Sequence, residues 1–495
     1  MHENIGIKIL LIGERVMRKY QQKQLLEIIH TLREAHAEIK KFFSGKKPHS
    51  VLGLISDCHE SAVRIGNFIA QLQGEGTKAV QHLAEYCQLL YQLSLETGSP
   101  EAGAGLIKQL SKKLYEIESS ITTDLSIRHE VVFFPYKASL WDSLESIWLA
   151  AKDEPDCDAY VVPIPYFDCL PDGTLGEMHY EGNEFPDYVP IVDWKTYDIA
   201  THWPDIIFVH NPYDEDNLLT TVSPDYYCKR LKDFTNLLVY CPYSVVVDDV
   251  MEGGCVNAGT LFAHKVIVQS EKVRQTYIRT FKEFEKANNC KGAFGSLNHK
   301  FIALGSPKFD KIINSKRKDF ILPEAWKKLI GDKRVVLYNT TVTAILAGNE
   351  QYLEKLRHIL GTFRSKNDVI LWWRPQPLGE STWQAMRPEL LDEYQQIIEE
   401  YRRDRFGIYD DTADMNRAIV MSDVYYGDWS PLVALYQCTG KPILIQNIED
   451  LSPGDLPSEN AQKDNISFEK AVKELANVDG SCGRKAYEHM KSILY

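Results

Sequence analysis

The sequence has little positive charge, no paired cysteines and no long apolar run. Its 56 Lys and Arg stand against 69 Asp and Glu, and the formal net charge of -13 opposes association with nucleic acid or anionic lipid. The ten cysteines form no Cys-x-x-Cys pair and no zinc-site spacing, which predicts reduced thiols. No stretch reaches the roughly 18 to 20 apolar residues of a membrane span. We therefore expect a soluble, cytoplasmic protein with no nucleic-acid partner and at most peripheral membrane contact.

Short motifs of several enzyme classes are also missing. There is no Gly-x-x-x-x-Gly-Lys-Ser/Thr loop, no His-Glu-x-x-His and no Gly-x-Ser-x-Gly, so a P-loop NTPase, a zinc protease and a serine hydrolase have no support. Asp156, Cys157 and Asp158 match an Asp-x-Asp metal motif, but they precede a predicted strand instead of following one. We interpret them as a loop, and we predict neither a metal nor a cofactor.

Residues 1–128 differ from the rest in charge and in apolar spacing. They carry 16 Lys/Arg and 14 Asp/Glu, whereas the remainder carries 40 and 55. Apolar residues recur every three or four positions, as from Leu25 to Phe42 and from Ile107 to Ile121, which is the period of a helix. Four helices are predicted, separated by breaks near 45–48, 74–76 and 98–105. They form a bundle or an oligomerisation segment, and because such stripes also suit pairing between chains, we expect a homodimer.

From residue 129 onward, short β-branched runs alternate with helical segments. This alternation predicts parallel sheets covered by helices on both faces, with ligands at the carboxyl ends of the strands. The strands are predicted at 131–134, 159–163, 206–210, 237–241, 265–269 and 301–304, then at 334–338, 369–373, 406–409, 424–427 and 442–446. The predicted fold is α/β, with two Rossmann-like domains that face a cleft and follow the all-α segment. The domains are 1–128 (helical), 129–310 (Rossmann-like, acceptor), 311–329 (linker) and 330–495 (Rossmann-like, nucleotide donor).

Three strand ends of the second series carry residues suited to phosphate. A turn from a strand into a helix points backbone amides at the space above the sheet, which favours an anion, and a guanidinium can hold two phosphate oxygens at once. Pro431 fits the first turn of a helix. The predicted donor-binding residues are Asn339, Thr340, Thr341, Arg374, Asp428, Trp429 and Ser430. The alternatives are ordinary turns, an arginine paired with a carboxylate, and a simple helix cap.

In the first series, one histidine ends a strand at the ligand edge. Asp214 follows His210 closely enough to orient the imidazole, so we predict these two as catalytic, with His210 as the general base. The alternative is a structural histidine that is merely hydrogen-bonded. The acceptor-binding candidates are Tyr136, Lys137, Ser139, Asp142, Asp248, Asp249 and Glu252.

Residues 421–446 resemble a segment of the CDP-glycerol glycerophosphotransferases, the teichoic-acid polymerase family. That segment has a strand, then Asp-Tyr-Ser-Ser, then a helix and Gly-Lys-Pro. The corresponding positions here run from Asp428 to Pro431 and from Gly440 to Pro442. The resemblance implies a glycosyltransferase-B architecture in which the C-terminal domain holds a nucleotide diphosphate.

Two further pieces of the chain are similar to this family. Residues 303–310 resemble its Gly-x-Pro-x-x-Asp stretch at the domain junction, with Gly305, Pro307 and Asp310 at the matching positions. Residues 370–377 resemble a strand that normally ends in His-Pro. By this resemblance, Gly305 and Pro307 join the donor-binding set.

Two positions depart from the family pattern. Where family members place a catalytic histidine in Trp-His-Gly, this sequence has Cys241, Pro242 and Tyr243, and Arg374 replaces the histidine of His-Pro. We therefore consider two functions. The first is a transferase that moves a glycerol-phosphate-like, polyol-phosphate or sugar group from a nucleotide-diphosphate donor, such as CDP-glycerol or a nucleotide-sugar, to a hydroxyl acceptor in cell-surface polymer synthesis. The second is a catalytically silent scaffold that binds a nucleotide or polymer and assembles partners through its helical segment.

Overall fold

The contacts within the chain divide it into two compact units. The computed structural model describes residues 16–43, 51–96, 100–170, 172–217, 219–246, 250–376, 379–412, 414–446 and 474–494. The first unit contains the residues up to Val131, Glu154–Asp158 and Asp198–Asp205, and the second contains Val132–Asp153, Ala159–Tyr197 and Ile206–Tyr495. None of the helices within the described ranges is long and apolar enough to cross a membrane.

Four long helices form the core of the first unit, as the apolar spacing predicted. They are α1 (Lys19–Phe43), α2 (Val51–Gln73), α3 (Lys78–Leu95) and α4 (Pro100–Thr123). The break predicted at 74–76 separates α2 from α3, while the one at 45–48 lies outside the described residues. Helix α4 begins inside the break predicted at 98–105. Its Gly103 packs directly against the ring of Phe43. A Cβ added at Gly103 would lie only 2.2 Å from Cδ1 of that ring.

The two predicted apolar stripes pack inside this bundle. One buried core contains Leu25, Leu32 and Ile39 of α1 together with Leu110, Leu114 and Ile117 of α4. The stripes therefore cover each other within one chain, and a second copy is not needed to bury them. The homodimer stays a prediction.

A polar pair lies in the middle of this apolar core. The Nε2 atom of His36 lies 2.7 Å from the hydroxyl of Tyr86, and burial lowers the pKa of His36 to about 4. A histidine in an unfolded chain has a pKa of about 6.5, so the unfolded chain binds this proton more tightly than the folded chain does. The stability contributed by the neutral imidazole is complete above about pH 6.5 and is lost as the pH falls towards 4.

We expect the free energy of unfolding of the parent, relative to that of His36→Gln, to fall by about 3 kcal/mol between about pH 7 and pH 4. Glutamine can still hydrogen-bond to Tyr86, but it does not titrate. Urea unfolding followed by circular dichroism measures this difference. His30 lies on the same helix with 73% of its side chain exposed, so His30→Gln is the control and should leave the pH dependence unchanged. A parent-to-variant difference that is constant with pH would contradict the assignment.

The other helices and the strands are numbered along the chain. The helices are α5 (Glu145–Lys152), α6 (Ile199–His202), α7 (Cys228–Leu231), α8 (Glu252–Cys255), α9 (Ala258–Phe262), α10 (Glu271–Ala287), α11 (Leu297–Lys300), α12 (Pro307–Asn314), α13 (Glu324–Ile330), α14 (Val342–Arg364), α15 (Gly379–Met386), α16 (Pro388–Asp404), α17 (Met415–Met421), α18 (Pro431–Gln437) and α19 (Cys482–Leu494). The strands are β1 (Met17–Arg18), β2 (Ile127–Phe134), β3 (Cys157–Val161), β4 (Tyr166–Cys169), β5 (Leu175–His179), β6 (Ile206–Val209), β7 (Thr220–Val222), β8 (Leu237–Tyr240), β9 (Lys265–Val268), β10 (Phe301–Ala303), β11 (Arg334–Asn339), β12 (Val369–Arg374), β13 (Gly407–Tyr409), β14 (Val424–Gly427) and β15 (Ile443–Ile445).

The first sheet of the second unit follows the predicted α/β pattern. Strands β2, β6, β8, β9 and β10 lie side by side in this order, and β3 also pairs with β2. Strands β6, β8, β9 and β10 are parallel to their neighbours. All four residues of Ile206–Val209 are buried, as expected for a strand covered by helices on both faces. Within the first unit, β1 pairs in parallel with the beginning of β2.

The second sheet contains five parallel strands in the order β13-β12-β11-β14-β15. The chain starts in the centre with β11, adds two strands on one side and then two on the other. In this register Asn339 lies opposite both Arg374 and Gly427, so the carboxyl ends of the three central strands are level. The two predicted Rossmann-like sheets are thus confirmed.

Two parts of the chain differ from the predictions. Strands β4, β5 and β7 form a small antiparallel sheet of order β5-β4-β7, which was not predicted because β5 (Leu175–His179) is largely exposed and carries no apolar run. The predicted linker at 311–329 contains the end of α12 and most of α13. Ile312 and Leu322 of this range are buried in the core under the second sheet, so the segment is packed structure.

Candidate functional site

The second sheet has its topological switch point between β11 and β14. The chain turns to one side after β11 and to the other side before β14, and ligands of doubly wound sheets bind in the crevice at the carboxyl ends of such a strand pair. Asn339 is the last residue of β11, and the residues that follow the two strands are Thr340, Thr341, Asp428, Trp429 and Ser430. Six of the seven predicted strand-end residues therefore flank one crevice.

Hydrogen bonds connect the two sides of this crevice. The side-chain amide of Asn339 donates to the hydroxyls of Tyr425 and Ser430, each at 3.3 Å. On the other side, the backbone N–H of Thr341 donates to Oδ2 of Asp428 at 2.8 Å, and the Thr341 hydroxyl lies 3.3 Å from the same oxygen. Burial raises the pKa of Asp428, and these bonds oppose that rise. The amino end of α14 is thus tied to the strand end of β14.

A glycine permits the close approach of these strand ends. Gly427 has φ +153°, and a Cβ added to it would lie 2.2 Å from the backbone oxygen of Asn339. The next residue, Asp428, also contacts this oxygen, since its backbone N–H donates to the Asn339 oxygen at 3.0 Å. Only glycine fits between the ends of these two strands.

The helix after β14 begins as predicted. Pro431 occupies its first turn and Ser430 is the N-cap, although the Ser430 side chain makes no capping hydrogen bond to the helix. Trp429 stands beside this turn with 46% of its surface exposed. An exposed tryptophan next to a polar crevice offers a flat apolar face to a ring.

Arg374 is not directed at a ligand as predicted. Its guanidinium is buried and donates to the carboxylate of Asp410 at 2.8 Å and to the backbone oxygens of Thr412 and Asp414 at 2.7 and 3.2 Å. Asp410 comes directly after β13, the neighbour of β12, so the arginine secures a loop of its own sheet. The alternative interpretation from the sequence was an arginine that pairs with a carboxylate. Arg374 does form such a pair, and the pair is buried.

The first sheet has its switch point between β2 and β6, because the chain goes from β2 to β3 on one side and then to β6 on the other. His210 follows β6 and is completely buried. Its Nε2 accepts a hydrogen bond from the backbone N–H of Tyr136 at 3.2 Å, and its Nδ1 lies 3.0 Å from the hydroxyl of Ser143, which itself donates to Leu140. The donors therefore place the proton on Nδ1 and leave Nε2 as an acceptor that is already occupied.

This arrangement differs from a general base. Burial lowers the pKa of His210 to about 3, and the charge of Lys308 adds to the effect, so the imidazole is neutral, but its lone pair is held by the protein. A base has to reach the proton that it abstracts. In this geometry His210 fastens the turn after β2 to the end of β6.

Asp214 does not orient His210. Its Oδ1 accepts from the side-chain amide of Asn211 at 2.8 Å, and its Oδ2 accepts from the backbone N–H of Cys228 at 2.7 Å. Burial raises the pKa of Asp214 to about 7. Among these hydrogen bonds, none joins Asp214 to His210. Ser143 takes the position next to the imidazole that was expected for the carboxylate.

The acceptor-binding candidates lie in different surroundings. Tyr136 is buried, whereas Ser139 is exposed, and the ammonium of Lys137 lies 4.9 Å from the ring centre of Tyr166. Glu252 is exposed and pairs with Arg279 at 2.9 Å. Asp248 and Asp249 lie outside the described residues.

Asp142, the remaining candidate, is buried in an ion pair. One carboxylate oxygen accepts from the ammonium of Lys308, and the other accepts from the side-chain amide of Asn416 at 3.0 Å. These partners belong to α12 and α17, so Asp142 ties the first Rossmann-like half to the second. It is a structural contact, not an exposed acceptor ligand.

The Gly-x-Pro-x-x-Asp stretch also has a structural explanation. Gly305 has φ +98°, and a Cβ on it would lie 2.2 Å from the backbone oxygen of Ala476. Pro307 occupies the first turn of α12. The carboxylate of Asp310 accepts from the backbone N–H groups of Cys482 and Gly483 at 3.0 and 2.7 Å and so caps α19. Gly305 and Pro307, predicted as donor ligands, shape this junction.

Sequence reasoning missed Glu181, which lies beside the first switch point. Its carboxylate accepts from the backbone N–H of Ala138 at 2.8 Å and from the hydroxyl of Tyr166 at 2.7 Å. Tyr166 begins β4 of the antiparallel sheet, which was not predicted, and the loop around Glu181 carries no motif. No signal in the sequence pointed to it.

One group of described side chains has the spacing of metal ligands. It consists of His82, Glu85 and Glu116 in the helical bundle. The ammonium of Lys113 lies 2.5 Å from both carboxylates and thus supplies the positive charge there.

The fold and the strand ends define a class of architecture before any comparison. Two doubly wound α/β sheets in one chain, each with polar residues at its switch point, correspond to the glycosyltransferase-B type that the family resemblance implied. No family model matches the chain, and the search of curated proteins found no match.

Solved structures resemble the chain at low identity. A putative UDP-N-acetylglucosamine 2-epimerase from Listeria monocytogenes is 14% identical with a TM-score of 0.45, covering 74% of this chain and 96% of that chain. The wall teichoic acid polymerase TagF is 11% identical with a TM-score of 0.44, covering 84% and 98%. S. aureus MnaA, solved with UDP, is 11% identical with a TM-score of 0.41, covering 74% and 97%. We therefore base the function on the geometry of the strand ends.

Proposed function

We propose that the protein is a transferase that uses a nucleotide-diphosphate donor and a hydroxyl acceptor. The observation that carries this proposal is the crevice between β11 and β14, where Asn339, Thr341 and Ser430 meet at the switch point. Hydroxyl and amide groups at such a position suit the oxygens of a diphosphate. The transferred group is a glycerol phosphate, another polyol phosphate or a sugar.

Each residue of the crevice has a proposed role. The Ser430 hydroxyl, which accepts from the Asn339 amide, donates to a phosphate oxygen. The amino end of α14 adds a favourable dipole, since this helix starts at Val342, directly after Thr341. The exposed ring of Trp429 stacks on the nucleobase. Lys137 and Ser139, next to the first switch point, contact the acceptor.

A second function is favoured by one observation on His210. Both ring nitrogens are engaged and the side chain is fully buried, and Cys241 to Tyr243 supply no replacement imidazole. A protein with the same crevice but without a base would bind the nucleotide or a polymer without turnover.

Product analysis distinguishes these functions. The full chain is incubated with CDP-glycerol, CDP-ribitol and UDP-sugars, each with glycerol or a sugar as the hydroxyl acceptor. Release of CMP means transfer of a phosphoryl alcohol, and release of a nucleoside diphosphate means glycosyl transfer. Binding without release supports the silent scaffold, and the absence of binding to all donors overturns the transferase and the nucleotide-binding form of the scaffold.

We expect Trp429→Ala to weaken nucleotide binding by about 1 to 3 kcal/mol, the range for stacking of one base on an aromatic ring. Titration calorimetry with CDP and UDP measures the change. Trp203 is exposed to a similar extent, 37%, but lies outside the second sheet, so Trp203→Ala is the control and should bind like the parent. Equal affinities of Trp429→Ala and the parent would remove the stacking role.

A further inference from the structure

A small cavity lies at the carboxyl edge of the first sheet, where β8, β9 and β10 end. Its volume is about 30 Å³, and a cavity needs only about 10 to 15 Å³ to hold one water molecule. Its wall is mainly apolar, with Pro242, Val268 and Tyr277 among the lining residues, and Gln269 and Ser306 add polar groups. We call this space the Gln269 cavity. It is separate from the crevice of the second sheet.

Two polar side chains of the Gln269 cavity, which Ser244 also lines, are buried and incompletely satisfied. The exposed fractions of Gln269 and Ser306 are 7% and 3%. Neither Nε2 of Gln269 nor Oγ of Ser306 has a hydrogen-bond partner in the described part of the chain. Buried polar groups of folded proteins nearly always have a partner, so such atoms call for an explanation. Two such atoms, on different segments of the chain, line one cavity.

The orientation of the glutamine is not arbitrary. Its Oε1 accepts the backbone N–H of Val246 at 2.7 Å, which fixes the amide so that the unpartnered end is the NH₂ donor. The cavity therefore presents a donor, not an acceptor, from this side.

The second polar group stands at the amino end of a helix. Ser306 is the N-cap of the eight-residue α12, but its side chain makes no capping bond, and Pro307 in the first turn has no N–H to satisfy. The helix dipole makes this end electropositive. Lys308 follows in the same turn, but its ammonium pairs with the carboxylate of Asp142. The unpartnered groups of Gln269 and Ser306 and the electropositive helix end thus favour a hydrogen-bond acceptor with negative charge.

From this geometry we infer that the Gln269 cavity binds a phosphate-sized oxyanion, with Gln269 Nε2 and Ser306 Oγ as donors. The oxyanion is free inorganic phosphate or the phosphoryl group of a small substrate, because both present the same oxygens. The site does not depend on the nucleotide crevice, and it exists whether or not the proposed transferase activity does.

The test uses the full chain and inorganic phosphate. Phosphate should raise the melting temperature of the parent in a concentration-dependent manner, since a ligand of the folded state stabilises it by mass action. Gln269→Glu keeps the oxygen that Val246 requires and replaces the donor by a second oxygen, so it should weaken phosphate binding at least tenfold. Ser306→Ala should weaken it several-fold and leave the melting temperature without phosphate almost unchanged, because Oγ makes no hydrogen bond there.

Two controls separate this site from others. Gln437→Glu changes a glutamine of α18, outside the cavity, and should bind phosphate like the parent. CDP binding should be equal in the parent and Ser306→Ala. Glycerol phosphate titrated in parallel distinguishes the two sources of the oxyanion. If phosphate leaves the parent's melting temperature unchanged up to about 50 mM, or stabilises Ser306→Ala and Gln269→Glu as much as the parent, the inference is overturned.

Discussion

Replacing Gly305 by alanine is expected to lower the free energy of unfolding by about 3 kcal/mol or more. The residue has φ +98°, where an L side chain is strained by about 1 to 2 kcal/mol. In addition, the new Cβ would lie 2.2 Å from the backbone oxygen of Ala476, and backbone cannot move aside as a flexible side chain can. Forcing extra atoms into packed structure costs roughly 1 to 3 kcal/mol more.

Gly292 separates these two contributions. It has φ +80° but no atom within 4 Å of an added Cβ, so Gly292→Ala should show only the backbone strain. Urea unfolding of both variants measures the difference. If Gly305→Ala is no more destabilising than Gly292→Ala, the close approach of residue 476 has no energetic weight.

The second large effect is expected at the ion pair between Asp142 and Lys308. Both side chains are buried, and Asp142→Ala would leave the ammonium and the Asn416 amide without their acceptor. Removing one partner of a buried ion pair destabilises by about 3 to 5 kcal/mol, whereas replacing both charges by apolar groups of similar size is close to neutral. We therefore expect Asp142→Leu with Lys308→Met to recover most of the loss.

An exposed pair provides the control. Arg230 and Asp225 form a salt bridge with 54% and 65% of their side chains exposed, and Asp225→Ala should change the free energy of unfolding by less than about 1 kcal/mol. Thermal and urea unfolding of the single and double variants give the comparison. A double variant as unstable as Asp142→Ala would mean that packing, and not the unpaired charge, dominates at this position.

Two of the residues predicted for the donor site lie together in the structure. Asn339 and Ser430 were chosen because each follows a buried apolar run, and the structure brings them to 3.3 Å, since the ends of neighbouring parallel strands meet at one edge. Arg374 was chosen by the same rule, but its donors face Asp410 and the loop after it. The end of a strand fixes the position of a residue's backbone. The direction of the side chain depends on the acceptors that other segments place near it.

What the sequence by itself determined is the arrangement of the elements. The strands of both parallel sheets lie within a few residues of the predicted ranges. Helices cover these strands on both faces, so each strand is a continuous apolar run between turns, and such a run is visible in the local sequence. Only the tertiary structure decided the partners of the polar groups. His210 meets Ser143, which is 67 positions away, and Asp310 caps a helix 172 positions away. Hydrogen bonds are short and directional, and no periodicity in the sequence records which distant group completes them.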